Sequence, residues 1–278
     1  IRGGLTDTRR VVIIGAGYIG LETAASLRTL GGTSVTVLES AERVLQRVTA
    51  PEVSEFYARV HSEEGVELRT GVAVAAIEGD DCVRGVRLAD GELLEADLVI
   101  IGIGVQPNTE LAEAAGLTVD NGIVIDGSGL TSDPDIVAAG DCASYFIPRY
   151  DRHLRLESVP NAVEHAKVAA ATMCGKPKTI SALPWFWSDQ YELKLQIAGL
   201  NDGYDDVVLR GDPKSGRSFA CFYFKNGEMI TADCVNRPKE FMFSRRALND
   251  RVPIDRSLLA DPEGSLTELL KAPSTDRS

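Results

Sequence analysis

The sequence predicts an α/β fold in three parts, and three observations carry that prediction. Residues 11–39 run strand, glycine-rich turn, helix, strand and acid. Residues 122–141 hold short strands with no introductory crossover of their own. From Leu183 onward, alternating apolar residues and hairpin turns give the texture of an antiparallel sheet with helices on one side, a separate α+β unit. The parts are drawn at 1–117, 118–182 and 183–278.

Val11-Val12-Ile13-Ile14 leads straight into Gly15-Ala16-Gly17-Tyr18-Ile19-Gly20, then into an apolar helix and the strand Val35–Leu38, which ends at Glu39. A bare G-x-G-x-x-G recurs by chance; the complete βαβ context marks a Rossmann-like dinucleotide site. Gly15 allows the tight exit from the strand, Gly17 lets a pyrophosphate approach the backbone, and Gly20 lets the helix lie against the sheet. The helix, expected over Tyr18–Leu30, offers its amino-terminal N–H groups and dipole to the phosphates. Glu39 accepts from the ribose hydroxyls and repels a 2′-phosphate, which favours NAD(H) over NADP(H). Arg43 and Arg47 pull the other way, since an arginine beyond the acid could reach such a phosphate.

Thr49 and Glu52 fit a capping box around Pro51, with Val53, Phe56, Tyr57 and Val60 at helical spacing and Gly65 as the stop. Strands follow near 66–69 and 72–77, and a hairpin turns at Asp90-Gly91 after 83–88. Leu98–Ile101 reads as a fully buried strand ending in Gly102-Ile103-Gly104. In the middle part, Gly122–Asp126 and Ile136–Asp141 read as strands, the tail of a sheet whose beginning lies outside the chain. A helix is expected from Pro160 to Cys174. In the last part, Glu192–Ile197 alternates as a strand, Phe219–Phe224 and Met229–Val235 form a hairpin through Asn226-Gly227, and a helix spans 238–249. A short helix and a frayed tail follow Asp261.

The chain has 278 residues, 44% apolar and 25% charged, and no apolar run long enough to span a bilayer. A net charge of −12 argues against general nucleic-acid binding. Five scattered cysteines form no C-x-x-C pair and suit a reducing, cytoplasmic setting. No metal site and no side-chain acid or base catalyst is expected; His61, His153 and His165 read as surface or capping residues.

Together with Arg47–Pro51, Asp97–Ile100, Thr131–Pro134, Ala139–Ala143, Glu157–Ala162, Trp185–Gln190 and Val235–Pro238, the glycine turn resembles the FAD-dependent pyridine-nucleotide oxidoreductases. The likeness is to ferredoxin reductases that serve cytochrome P450s and ring-hydroxylating oxygenases. It implies an NAD-binding domain, the remainder of a second, FAD-type α/β domain, and the family's C-terminal domain. Such proteins begin with a further G-x-G-x-x-G unit for FAD, and this chain starts after it. The chain by itself is therefore expected to bind NADH and to hold FAD poorly.

The resemblance implies NAD(H) at Gly15, Gly17, Tyr18, Ile19 and Gly20, with Glu39 on the ribose and Arg47 nearby. Glu22 and Gly104 match positions beside the nicotinamide, though a solvated carboxylate and a plain turn glycine are the bland alternatives. For FAD it implies Asp141, in Ala-Gly-Asp at a strand end, and Val159 at the helix start, where the N–H groups of Asn161 and Ala162 are expected unpaired. Trp187 is expected against the flavin or nicotinamide ring, and Trp185 in the core. The implied partner is an acidic [2Fe-2S] ferredoxin on a locally basic face, with Lys167, Lys239, Arg245, Arg246 and Arg251 as candidates. Two rivals stand: an NADH-dependent disulfide or peroxide reductase, and a nucleotide-binding fragment without redox activity. Against the first, no histidine follows His165 to supply the family's C-terminal His–Glu pair.

Overall fold

The computed structural model describes residues 9–270. They divide into two compact units: residues up to 104 with 187–197 and 201 onward, and residues 105–186 with 198–200.

The first unit opens with β1 (Arg10–Ile14), α1 (Tyr18–Leu30), β2 (Ser34–Leu38), α2 (Pro51–Glu63) and β3 (Val66–Arg69), followed by β4 (Val74–Gly79), β5 (Val83–Leu88), β6 (Leu93–Glu95) and β7 (Leu98–Ile101). Strands β3-β2-β1-β7 make a wholly parallel sheet. The β4-β5-β6 sheet is antiparallel. It packs Val86, Leu88 and Leu94 on Val12, Ile14 and Leu38. Helix α1 runs over the expected residues because the apolar stripe Leu21, Ala24, Ala25 and Leu27 is buried while Ile19 and Leu30 face out.

Two expectations fail in this unit. The capping box does not form: α2 is capped by Ala50 with no side-chain bond, and Thr49 Oγ1 turns back to donate to the Leu45 carbonyl at 3.2 Å. Pro51 occupies the first turn, as read. Nor is β7 fully buried. Among the described residues it lies at the sheet edge, and Ile101 is 57% exposed.

The second unit contains α3 (Glu110–Ala114), β8 (Ile123–Ile125), β9 (Ala143–Ile147), β10 (Arg152–Leu154) and α4 (Val159–Met173). Its sheet runs β10-β9-β8, with β8 and β9 parallel. Val168 of α4 joins Ile125, Tyr145, Ile147 and Ile180 in the core. The strand expected at Ile136–Asp141 is absent; only Val137 makes a bridge, to Leu130, and β8 takes β9 as its neighbour instead. Asp141 therefore precedes a strand rather than ending one.

The chain then forms β11 (Trp185–Gln190), β12 (Leu193–Gly199), β13 (Asp206–Arg210), β14 (Phe219–Lys225), β15 (Glu228–Val235), α5 (Pro238–Asp250), α6 (Arg256–Ala260) and α7 (Leu266–Leu269). The five-stranded sheet has the order β11-β12-β15-β14-β13. Asn226 and Gly227 turn the β14–β15 hairpin with φ of 50° and 85°, as a two-residue primed turn requires. Helices cover both faces of β14, not one as the sequence suggested. Phe219 meets Phe56 of α2 with ring centroids 4.9 Å apart, and Phe222 meets Phe243 of α5 at 6.3 Å. Each fully buried phenylalanine contributes roughly 1.5–3 kcal/mol, so this strand is a main anchor of the unit. The frayed tail beyond residue 270 lies outside the described residues. No helix among the described residues is long and apolar enough to cross a membrane.

Candidate functional site

The carboxyl ends of β1 and β2 meet at a crevice built from three glycines. A side chain on Gly20 would fall on the Gly15 carbonyl oxygen, and one on Gly15 would fall on that of Gly102. A Cβ on Gly102 would in turn lie 3.6 Å from the Gly20 backbone, an ordinary contact. Gly15 holds φ of 104°, a region closed to other residues at little cost. Gly17 differs: a Cβ there would meet nothing within 4 Å, so its bareness leaves open space in front of the backbone. It is also the N-cap of α1 and brings no side chain to the helix start. The helix's own bonding begins with Leu21 N–H on the Gly17 carbonyl, so the first-turn amides are without intrahelical acceptors. This is the donor set an anionic pyrophosphate needs.

Glu39 follows β2 and closes the crevice. Its Oε2 accepts the Ala16 N–H at 2.7 Å, and its Oε1 accepts the Ala41 N–H at 2.9 Å and the Ser40 hydroxyl at 3.3 Å. The carboxylate is thus fixed by the backbone of both flanking loops with lone pairs to spare. Arg43 does not compete: it is tied to Ser54 Oγ and donates to the Gln46 carbonyl at 3.1 Å. Arg47 is exposed on the following turn.

Glu22, one turn into α1, accepts the Ser188 hydroxyl at 2.6 Å. Ser188 accepts from Gln190 Nε2 at 3.1 Å, Gln190 Oε1 accepts from His61 Nε2 at 2.8 Å, and Tyr191 donates to His61 Nδ1 at 3.1 Å. Because the glutamine oxygen can only accept, the proton sits on His61 Nε2, and burial holds the ring's pKa below its ordinary value. His61 is therefore buried, not a surface residue. The signal was available: it falls on the Val53–Tyr57–Val60 stripe of α2. The alternation of Ser188 and Gln190 likewise puts both on one face of β11.

Gly104 is exposed, with φ of 110°. Trp187 is 43% exposed on β11, and Trp185 is half-buried rather than fully in a core. Tyr18, half-buried, sends its hydroxyl inward, while Ile19 is 63% exposed.

In the second unit, Asp141 and Val159 are both exposed. Gly140, with φ of 85°, turns the chain ahead of Asp141, and its N–H points to His165 Nδ1 at 3.3 Å. His165 is buried as well, against Tyr145. The amides expected free at the start of α4 are taken: Asn161 N–H by Ser158 Oγ at 3.4 Å and Ala162 N–H by the Ser158 carbonyl at 2.9 Å. The serine before Val159-Pro160 is a strong N-cap signal that the sequence reading passed over. A flavin edge at α4 would meet the helix dipole and the Val159 amide more than a fork of open donors.

Residues 2–166 match the family model for pyridine nucleotide-disulphide oxidoreductases, more than half of the chain. The chain belongs to the pyridine nucleotide-disulphide oxidoreductase family. Residues 185–270 match the reductase C-terminal model, which accounts for the last sheet and its helices. Putidaredoxin reductase of Pseudomonas putida is 48% identical over 100% of this chain, which spans 66% of that protein. The ferredoxin–NAD(+) reductase component of the anthranilate 1,2-dioxygenase system of Burkholderia cepacia is 39% identical over 97% of the chain, again 66% of its own length. Among solved structures, the covalent putidaredoxin reductase–putidaredoxin complex superposes with a TM-score of 0.91 at 48% identity, over 97% of this chain and 65% of that one. The chain thus spans about two thirds of the relatives it matches.

Proposed function

We propose that this chain serves an NADH-dependent ferredoxin reductase that supplies a cytochrome P450 or ring-hydroxylating oxygenase. The observation that carries the reading is the Glu39 carboxylate locked onto Ala16 N–H at the crossover, in a chain 48% identical to putidaredoxin reductase. Gly15, Gly17, Tyr18, Ile19 and Gly20 hold the pyrophosphate, Glu39 the ribose, Arg47 the outer edge of the adenosine, and Glu22 and Gly104 the nicotinamide half. Asp141 and Val159 face FAD, and Trp187 covers the ring stack. The chemistry that bound NADH and FAD supply is transfer of one hydride, two electrons, followed by single-electron delivery to two [2Fe-2S] ferredoxins. The protein's part is alignment and exclusion of water. The Ser188–Gln190–His61 chain fixes the Glu22 carboxylate so that it does not swing into the ring site.

Wild-type protein titrated by fluorescence should bind NADH at least about tenfold more tightly than NADPH. Glu39→Ala should weaken NADH about tenfold, the loss of charge-assisted hydrogen bonds, and narrow that preference. Equal affinity for both coenzymes in wild type would overturn the assignment. With FAD supplied, NADH oxidation should couple to ferredoxin and not to disulfides or peroxide; the reverse result would favour the disulfide-reductase reading.

For the ferredoxin, Lys239 and Arg246 share the exposed stripe of α5 with Met242 between them. Arg245 lies over the Phe241 ring at 5.8 Å, and Arg251 ends the helix at φ of 51°. Lys167 is exposed on α4 of the other unit. Lys239→Glu with Arg246→Glu should raise the ferredoxin KM several-fold and flatten its salt dependence, leaving NADH affinity unchanged. An unaltered salt dependence would remove this stripe from the docking face.

A further inference from the structure

A carboxyl in the middle of a strand covered on both faces is costly unless something needs it. Asp233 of β15 is 1% exposed and lies opposite Cys221. It accepts the hydroxyl proton of Tyr223, whose oxygen in turn accepts the Ala50 N–H at 2.9 Å. Ala50 is the N-cap of α2, the residue whose expected Thr49 cap is missing.

The hydrogen bonds continue from there toward the crevice. Thr49 donates its N–H and its hydroxyl to the Leu45 carbonyl at 3.1 and 3.2 Å. Leu45 is 3% exposed and sits in the left-handed region, φ 53°, a strained choice for a branched side chain. Its N–H donates to the Ala16 carbonyl at 3.0 Å, inside the glycine turn. Ala16 N–H is the group that Glu39 holds. One strand of the distal sheet is thereby joined to the nucleotide crevice through a loop with a strained centre.

We propose that Asp233, acting through Tyr223, is a positioning residue for the nucleotide site, clamping loop 40–50 so that Glu39 and the glycine turn keep their receiving geometry. The inference rests on the nucleotide reading above and adds a remote determinant to it. The groups facing Asp233 are Tyr18 of α1, Tyr57 of α2, Tyr204 between β12 and β13, Cys221 and Tyr223 of β14 and Cys234 of β15. Tyr18 directly follows Gly17, which ties the same cluster to the turn along the chain. Burial pushes the Asp233 carboxyl up to about 7. Ionised, it draws the Tyr223 proton more strongly and makes the phenol oxygen a better acceptor for Ala50. The clamp tightens as pH rises through that value.

The test is NADH titration of the full chain at pH 6 and pH 8, with Tyr223→Phe and Asp233→Asn beside wild type. Wild-type affinity should rise about threefold between the two values, a modest gain expected for charge-assisting one hydrogen bond. Asp233→Asn should keep the pH 6 affinity and lose the rise, since an amide oxygen still accepts from Tyr223 but cannot ionise. Tyr223→Phe should bind about fivefold more weakly than wild type at pH 6, the usual loss for one hydrogen bond, and should also lose the rise, so the gap widens at pH 8. Should Asp233→Asn fail to fold, Tyr223→Phe decides alone. Wild-type affinity in Tyr223→Phe, or an unchanged pH profile in folded Asp233→Asn, overturns the clamp. Wild type that binds no NADH at either pH overturns the nucleotide reading itself, a different and recognisable failure.

Discussion

Gly20→Ala is expected to cost the fold about 3 kcal/mol and to abolish measurable NADH binding. The added carbon has no room: it lands on the Gly15 carbonyl oxygen, a backbone atom that cannot rotate away. Relief requires α1 to lift from β1, and the Leu21, Ala24 and Leu27 stripe goes with it. Overpacking at rigid backbone typically costs 1–3 kcal/mol, and the upper end applies where no flexible side chain can give. Gly17→Ala is the control that separates packing from binding. Its Cβ meets nothing within 4 Å, so urea unfolding should be unchanged within about 0.5 kcal/mol while NADH affinity falls, because the methyl group occupies the space the phosphates need. If Gly20→Ala unfolds at the wild-type midpoint, the close approach of helix and strand is not as described.

Arg210→Ala should destabilise the first unit by about 3–5 kcal/mol, the range for removing one partner of a buried ion pair. The guanidinium is 3% exposed and donates to Glu240 Oε1 at 3.3 Å. It also donates to the carbonyls of Leu259 at 3.2 Å, Pro262 at 3.0 Å and Gly264 at 2.7 Å, and to that of Asp261. No lysine could replace it, since the planar fork serves five acceptors on two sides. The variant leaves the Glu240 carboxylate with Arg237 as its remaining cation and releases the α6–α7 segment. Urea unfolding reads the stability; limited proteolysis should cut between residues 255 and 270 first. A loss under 1 kcal/mol with the segment still protected would show that this arginine is replaceable.

Much of the geometry of the crossover crevice was legible because it is built locally. Strand, glycine turn, helix and acid are consecutive, and Gly20 has its steric reason within its own turn, whereas the atom that closes Gly15 comes from distant Gly102. What escaped notice depends on residues distant in sequence. The capping box at Thr49 and Glu52 is sound local chemistry, but Tyr223 reaches the Ala50 amide from the far sheet and Thr49 turns to Leu45 instead. Ile136–Asp141 has strand composition, yet a strand exists only where a neighbour completes the ladder, and β8 pairs with β9. Leu98–Ile101 has the apolar run of a central strand but occupies an edge. His61 and His165 were misread, His61 for want of a helical-face test: it shares the buried stripe of α2, and its neutral ring serves a polar chain that ends at Glu22.

The mutual contact of Gly15, Gly20 and Gly102 bears on how coenzyme preference could be re-engineered. A side chain on Gly15 or Gly20 would land on a main-chain oxygen, so neither position admits even a methyl group, whereas one on Gly102 would sit at ordinary contact distance. Redesign toward a phosphorylated coenzyme therefore has to work through Glu39 and the turn bearing Arg43 and Arg47, where, on the nucleotide reading proposed above, side chains rather than main chain would meet the ligand. Freeing Arg43 from Ser54 would be the opening move, and the crossover itself is best left untouched.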